Sequence, residues 1–350
     1  MNMNKLTKVG CSALCGSLAA ISTANAGELT VTGGVDMSWL SKSESTTGNP
    51  IGIGSNLTFK GSGELDNGWT FDLTVANLNA NAYSTTVVDI GMGGLGNLKL
   101  NQGDGSGLGS YDDMMPTAWE ESWGNSINPG VKLVGGVGTS NHIQYTTPVV
   151  LGTKIVLAYA PEYGAVDTAD KTSSGAANNE IGRAYDAIVH LNPSLGTELL
   201  AGLNIYVGAS LQERTRNGGT ITQDQGEATA QITFDIGPLS LGYGGAVFAT
   251  GYEASTNPGY YKNHMYGVAF NINDDLSISQ SYYDTRKEDI ANTAAVEEQL
   301  RYVEVSSTQI AYSMGGASVR LARTEAENMG FTTGASGDQT ATVLSVGLAF

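Results

Sequence analysis

Apolar and polar residues alternate along this chain in segment after segment, and only extended strands with one oily and one polar face satisfy that period. Leu29, Val31, Val35, Met37 and Trp39 share one parity. Leu57 and Phe59 repeat it. Trp69, Phe71, Leu73 and Val75 resume it after the tight-turn triplet Asp66-Asn67-Gly68. Sixteen such segments are expected, at 28–40, 53–64, 69–77, 84–92, 97–103, 141–148, 153–160, 182–191, 197–209, 227–236, 239–250, 264–272, 276–284, 300–312, 317–326 and 339–350. The apparent parity of 300–312 switches near Ser306, which suggests a bulge there.

The connections alternate between short and long. Short ones include Gly93 to Gly96, Gly237-Pro238 and Met314 to Gly316. The longest is 103–140. An even number of strands, with tight turns at one end and long loops at the other, is the arrangement of bacterial outer-membrane barrels. The stretch 1–26 reads as an export leader. Lys5 and Lys8 are its basic start, Val9 to Ile21 its short apolar run, and Ala24-Asn25-Ala26 its cleavage site. Residues 27–350 are then one barrel domain, exported through the periplasm. Both cysteines, Cys11 and Cys15, leave with the leader, so the rest holds together by hydrogen bonding and packing alone.

No stretch of 18 apolar residues remains, which excludes a helical membrane protein. Losing Lys5 and Lys8 takes the formal charge from −17 to −19, so non-specific binding to nucleic acid is excluded. Disorder would suit the charge, but regular alternation argues against it. Glycine, at 47 of 350 residues, is far above its usual share of about 7%, as many strands and turns require.

Charge tests the direction of the two faces. Asp36, Lys60, Asp72, Asp89, Lys99, Lys154 and Asp186 all fall on the polar parity of their segments. A one-residue slip would turn each charge toward lipid, at roughly 1–3 kcal/mol depending on depth. Seven such slips would sum to about 10 kcal/mol, comparable to a whole fold's stability. The polar face must therefore meet water. About sixteen strands enclose an aqueous channel, whereas about eight fill their interior with side chains. Strands of about 9–13 residues suit a tilted crossing. Trp39, Trp69, Tyr159, Tyr185, Phe234, Phe270, Tyr282 and Tyr312, near strand ends, suit two interfacial girdles.

Asp89 to Leu100, DIGMGGLGNLKL, resembles the strand, glycine turn and strand that precede the third loop of Gram-negative general porins. Asn141 to Gly164, NHIQYTTPVVLGTKIVLAYAPEYG, is similar to the hairpin after that loop. The final strand, ending in Phe350, resembles the family's insertion signal. The resemblance implies a homotrimer in outer-membrane lipid and lipopolysaccharide, inserted by the outer-membrane assembly machinery. It also implies a third loop folded into the lumen. Here that loop would be 103–140, carrying Asp104, Asp112, Asp113, Glu120 and Glu121 as the acidic constriction, with Trp119 and Trp123 packing it to the wall. Asp36, Lys60, Asp72, Asp89, Lys99, Lys154 and Arg320 would line the wall. The Pro-Glu-Phe-Gly-Gly tip and arginine ladder of enterobacterial porins are missing.

The expected function is passive passage of ions and small hydrophilic solutes, with weak preference for cations because a carboxylate-rich constriction attracts them. A substrate-specific channel would show aromatic slides or many lumenal arginines. A non-conducting surface barrel or adhesin would show longer loops. An enzyme is not expected. His142, His190 and His264 sit on three strands, with no H-x-E, H-E-x-x-H or G-x-S-x-G pattern beside them. Gly103-Asp104-Gly105-Ser106-Gly107 lacks the Lys-Ser/Thr of a phosphate loop. No cofactor or structural metal is expected. Asp112, Asp113, Glu120 and Glu121 could add Ca²⁺, though without any EF-hand spacing.

Overall fold

The computed structural model describes residues 26–43, 48–79, 85–121, 127–163, 181–193, 200–214, 223–252, 258–289, 302–332 and 337–349. Residues 1–25 of the predicted leader 1–26, Trp123 and Phe350 lie outside them. Sixteen strands form in chain order. They are β1 (Ala26–Lys42), β2 (Ile51–Glu64), β3 (Thr70–Leu78), β4 (Thr85–Gly91), β5 (Asn97–Gln102), β6 (His142–Thr146), β7 (Thr153–Ala160) and β8 (Ile181–Leu191). The rest are β9 (Leu203–Arg214), β10 (Gln225–Ile236), β11 (Leu239–Ala249), β12 (Pro258–Asn271), β13 (Leu276–Asp289), β14 (Tyr302–Met314), β15 (Ala317–Glu327) and β16 (Gln339–Ala349).

Every strand pairs antiparallel with its chain neighbours, and β1 closes on β16, with Asp36 opposite Gly347 and Trp39 opposite Leu344. Closure leaves no unpaired edge, which a lipid environment requires. Short turns take the residues that the geometry demands. In the β2–β3 turn Gly68 sits at φ 80°, where a Cβ would be strained.

The two faces differ as the alternation requires. Outward apolar side chains stand exposed, among them Phe59 at 43% and Leu344 at 47%. Those surfaces suit hydrocarbon and not water. The inner face carries Asp36, Lys60, Asp72, Asp89 and Lys99. A pair of adjacent positions tests this. Phe59→Arg is expected to destabilise the barrel by about 2–4 kcal/mol near mid-membrane. Thr58→Arg, one residue away on the inner face, is expected to change stability by under ~1 kcal/mol. Urea unfolding in lipid vesicles reads both, and equal losses would mean that the faces are misassigned.

Three expectations need correction. β14 has no bulge at Ser306, because its register against β13 and β15 runs unbroken. Val303 and Val305 point inward and are fully buried, packing with Ile127, Ala326 and Ala341. The parity switch in the sequence comes from an apolar patch inside the barrel, where the long connection lies against the wall. Next, not all strands reach 9–13 residues. β4, β5, β6 and β7 have 7, 6, 5 and 8, so the wall is low where the long connection leaves and rejoins it. Finally, Tyr282 lies in the middle of β13, not near its end, and stacks on Tyr266 of β12 with ring centroids 4.8 Å apart.

Candidate functional site

The connection between β5 and β6 runs inside the barrel. Its limbs leave as a pair, bridged at Ser106 and Gly138, and a short 3₁₀ turn spans Gly107–Tyr111. Buried backbone amides away from a sheet need other partners. Inward-facing wall side chains supply them, strand by strand. Gly107 N donates to Gln144 Oε1 of β6 (2.9 Å) and Leu108 N to Asp186 Oδ2 of β8 (2.7 Å). Gln231 of β10 accepts from Met114 N (2.8 Å) and donates to the Tyr111 carbonyl (2.6 Å). Farther on, Ala118 N donates to Ser279 Oγ of β13. Gln309 Oε1 of β14 accepts from Trp119 N and Glu120 N, each at 3.0 Å. The returning limb binds Thr285 and Asn263, then Glu227, Gln212 and again Asp186.

The wall is also carved for this loop. Leu108, fully buried, sits over Gly208, where any Cβ would collide with it. Met115 and Pro116 cover Gly242 and Gly267. A Cβ at Gly242 would stand 2.5 Å from Pro116 Cδ, and one at Gly267 3.0 Å from the Pro116 carbonyl oxygen. Gly267→Val is therefore expected to lift the loop toward the opposite wall, with overpacking of about 1–3 kcal/mol. Unitary conductance should fall while the barrel's resistance to SDS at room temperature persists. An unchanged conductance would mean that the loop's seat is elsewhere.

The sequence-predicted acids fall into different roles. Asp113 is occupied. Its Oδ1 accepts from Met115 N (2.9 Å) and its Oδ2 from the hydroxyl of fully buried Tyr283 (2.6 Å). Burial pushes its carboxyl up to about 6, against the lowering effect of Tyr283. Asp112 is pushed up to about 7, first by burial and then by the charge of Asp113. Glu120 is raised too, by burial and by neighbouring Glu121. Glu121 is exposed. Asp104 lies at the loop's base, where its carbonyl accepts from Asn101 Nδ2 (2.7 Å).

Across the lumen, Asp72, Asp89 and Lys99 occupy one register row of β3, β4 and β5. Asp72 and Asp89 face each other directly, an arrangement that like charges disfavour. Lys60 relieves it from β2, with Nζ 3.4 Å from Asp72 Oδ2, and Lys99 stands opposite Asp89. Arg320 of β15 binds Asp36 of β1 and Ser345 of β16, and its guanidinium lies 4.9 Å over the Trp119 ring. It ties the loop to the strands that close the barrel. Lys154 is not brought to this group. It sits one residue inside the start of β7, opposite His190. Asp186 faces inward but does not meet open water, because the loop covers it and leaves it 4% exposed.

Sequence reasoning missed the amides and small residues that hold the loop: Gln212, Gln231, Asn263, Gln309, Gly208 and Gly267. The available signal was long amide side chains at inward positions, where Ser or Thr would suffice to face water. The three histidines stand apart, and one of them braces the base of the loop. His142 is buried, with Nε2 2.6 Å from Ser106 Oγ and Nδ1 2.6 Å from the Ser140 carbonyl oxygen. Among the described residues, no group of three His, Cys, Asp or Glu could hold a metal ion.

A closed ring of sixteen strands, oily outside, ionised inside and partly filled by its own longest connection, defines an outer-membrane channel barrel. A family model of Gram-negative porins matches residues 10–346, and the chain belongs to that family. Solved structures agree in fold. The anion-selective porin from Comamonas acidovorans superposes with a TM-score of 0.63 at 15% identity, covering 93% of this chain and all of that one. OmpF of Salmonella typhi gives 0.66 at 12% identity, covering 93% and 98%. OprB of Pseudomonas putida gives 0.63 at 10%, covering 93% and 94%. Comparison with curated protein sequences returns no match.

Proposed function

We propose that the protein is a general diffusion porin with weak cation preference, passing ions and small hydrophilic solutes through a lumen narrowed by residues 103–140. The carrying observation is an imbalance of charge. Among the described residues, the wall cations Lys60, Lys99 and Arg320 each stand beside a carboxylate, whereas the loop gathers three acids, Asp112, Glu120 and Glu121, with Arg320, already bound to Asp36, near Glu120. The Comamonas porin is anion-selective, so the cation preference proposed here rests on this chain's own side chains and not on the shared fold. Single-channel recording in a salt gradient tests this reading. A water-filled conductance with a reversal potential of cationic sign is expected. Absence of conductance refutes the channel, and an anionic sign refutes the role of the loop.

The homotrimer is supported by strand length. β4, β5 and β6, at 7, 6 and 5 residues, are shorter than the roughly 9–11 that a crossing strand needs. That side is better covered by a second copy than by lipid. An unheated SDS gel running at three copies, collapsing on boiling, is the expected behaviour. Outward Lys262 and Arg286 lie beyond the Tyr266–Tyr282 stack, toward the long connections, where lipopolysaccharide phosphates would meet them. Residues 1–26, read as a leader, support export through the periplasm, and an aromatic residue next to β16 supports insertion by the assembly machinery.

A further inference from the structure

We infer that Asp186 and Glu227 are the positioning residues that set the aperture, each clamping the inserted loop by a pair of backbone amides; this rests on the channel reading above. Asp186 Oδ2 accepts from Leu108 N (2.7 Å) on the outgoing limb and from Val137 N (2.9 Å) on the returning limb. One oxygen thus pins both limbs to β8. Glu227 Oε2, two strands farther, accepts from Gly135 N (2.6 Å) and Gly136 N (2.8 Å). Its other oxygen accepts from the amides of Gln212 (3.1 Å) and Gln225 (2.9 Å), and Gln212 also donates to the Gly136 carbonyl (2.9 Å). Both carboxylates are 4% exposed, so neither contributes its charge directly to the open lumen.

The chemistry suits a clamp. Bonds from N–H to an ionised carboxylate are roughly twice as strong as neutral ones. Gly136 stands at φ 56° with Asp186 and Leu108 close against it, so the chain there has no room for a Cβ. A left-handed glycine is what allows successive amides to converge on one acceptor. Among the other anchors, Gln231 and Gln309 bind only the outgoing limb, through single amide groups. The two acids, with Gln212 between them, tie the returning limb back at the level where the loop begins.

The test pairs Asp186→Asn with Glu227→Gln. Both keep volume and remove charge, and the new glutamine amide would face donors on one side or the other. Recorded in planar bilayers, this double variant is expected to replace one conductance level by several, widening the spread of unitary conductance about threefold. A second measurement does not depend on conduction. Cysteines placed by Leu108→Cys and Gly208→Cys lie loop over wall, in a chain whose other cysteines are Cys11 and Cys15 of the leader. Their disulfide should form about tenfold more slowly in the double variant. Once formed, it should restore a single level, a rescue that a general loss of barrel stability would not show. An unchanged spread together with an unchanged disulfide rate would overturn the clamp. A wild-type protein that passes no current would overturn the channel reading instead, and the disulfide rate would still decide the clamp.

Discussion

The double replacement Glu120→Gln and Glu121→Gln is expected to lower the cation-to-anion permeability ratio about eightfold in 0.1 M salt, with little effect on barrel stability. The magnitude follows from distance. A unit charge about 7 Å from the conduction path in water is worth about 0.6 kcal/mol. With a Debye length of about 10 Å at this ionic strength, screening leaves roughly half of that. The same charge favours a cation and disfavours an anion, so each lost carboxylate changes the ratio about threefold. Glu120 keeps its place after substitution, because its backbone N and O, not its side chain, hold it to Gln309. The reciprocal variant, Lys60→Ala with Lys99→Ala, uncovers Asp72 and Asp89 and should raise the ratio. Reversal potentials in a KCl gradient read both. If the glutamine variant kept the wild-type ratio within about 1.5-fold, selectivity would have to arise outside the loop.

How far the residues announce this arrangement depends on what period they follow. The barrel was legible because lipid outside and water inside impose a two-residue period on every strand, and Asp36, Lys60 and Phe59 obey it. The loop's insertion breaks that simple rule. Val303 and Val305 face inward because Ile127 covers them, so β14 reads as if it changed faces. Asp186 reads as a charge for water and serves instead as an acceptor for Leu108 and Val137. Asp113 reads as a pore acid and is taken up by Tyr283, a tyrosine beside the outward Tyr282 that the aromatic pattern does single out. The hydrogen bonds of Asp186 and Asp113 to these partners span separations of 49 to 170 residues, which no local pattern encodes. The lengths of β4 to β6 were likewise hidden, because the segments stay extended in pattern where the wall ends.

Cation preference should also rise with pH well above the range in which ordinary carboxylates titrate. Asp112 is pushed up to about 7 and Asp113 to about 6, each chiefly by burial. A raised value means that the neutral acid prevails below it. At pH 5 both are protonated, and the loop's charge comes from its remaining acids. As pH climbs, Asp113 ionises first and Asp112 follows against the charge already present beside it, so their two steps belong to the pair. The permeability ratio should therefore climb between about pH 6 and pH 8, where a free aspartate, near 3.9, is already fully charged. Asp112→Asn removes the upper step and leaves the lower one. Asp113→Asn removes the repulsion that opposes Asp112, so the surviving step should move down. Reversal potentials taken across that range on the wild type and both variants distinguish these outcomes. A wild-type ratio that stays flat from pH 6 to pH 8 would mean that water in the lumen reaches both carboxyls freely.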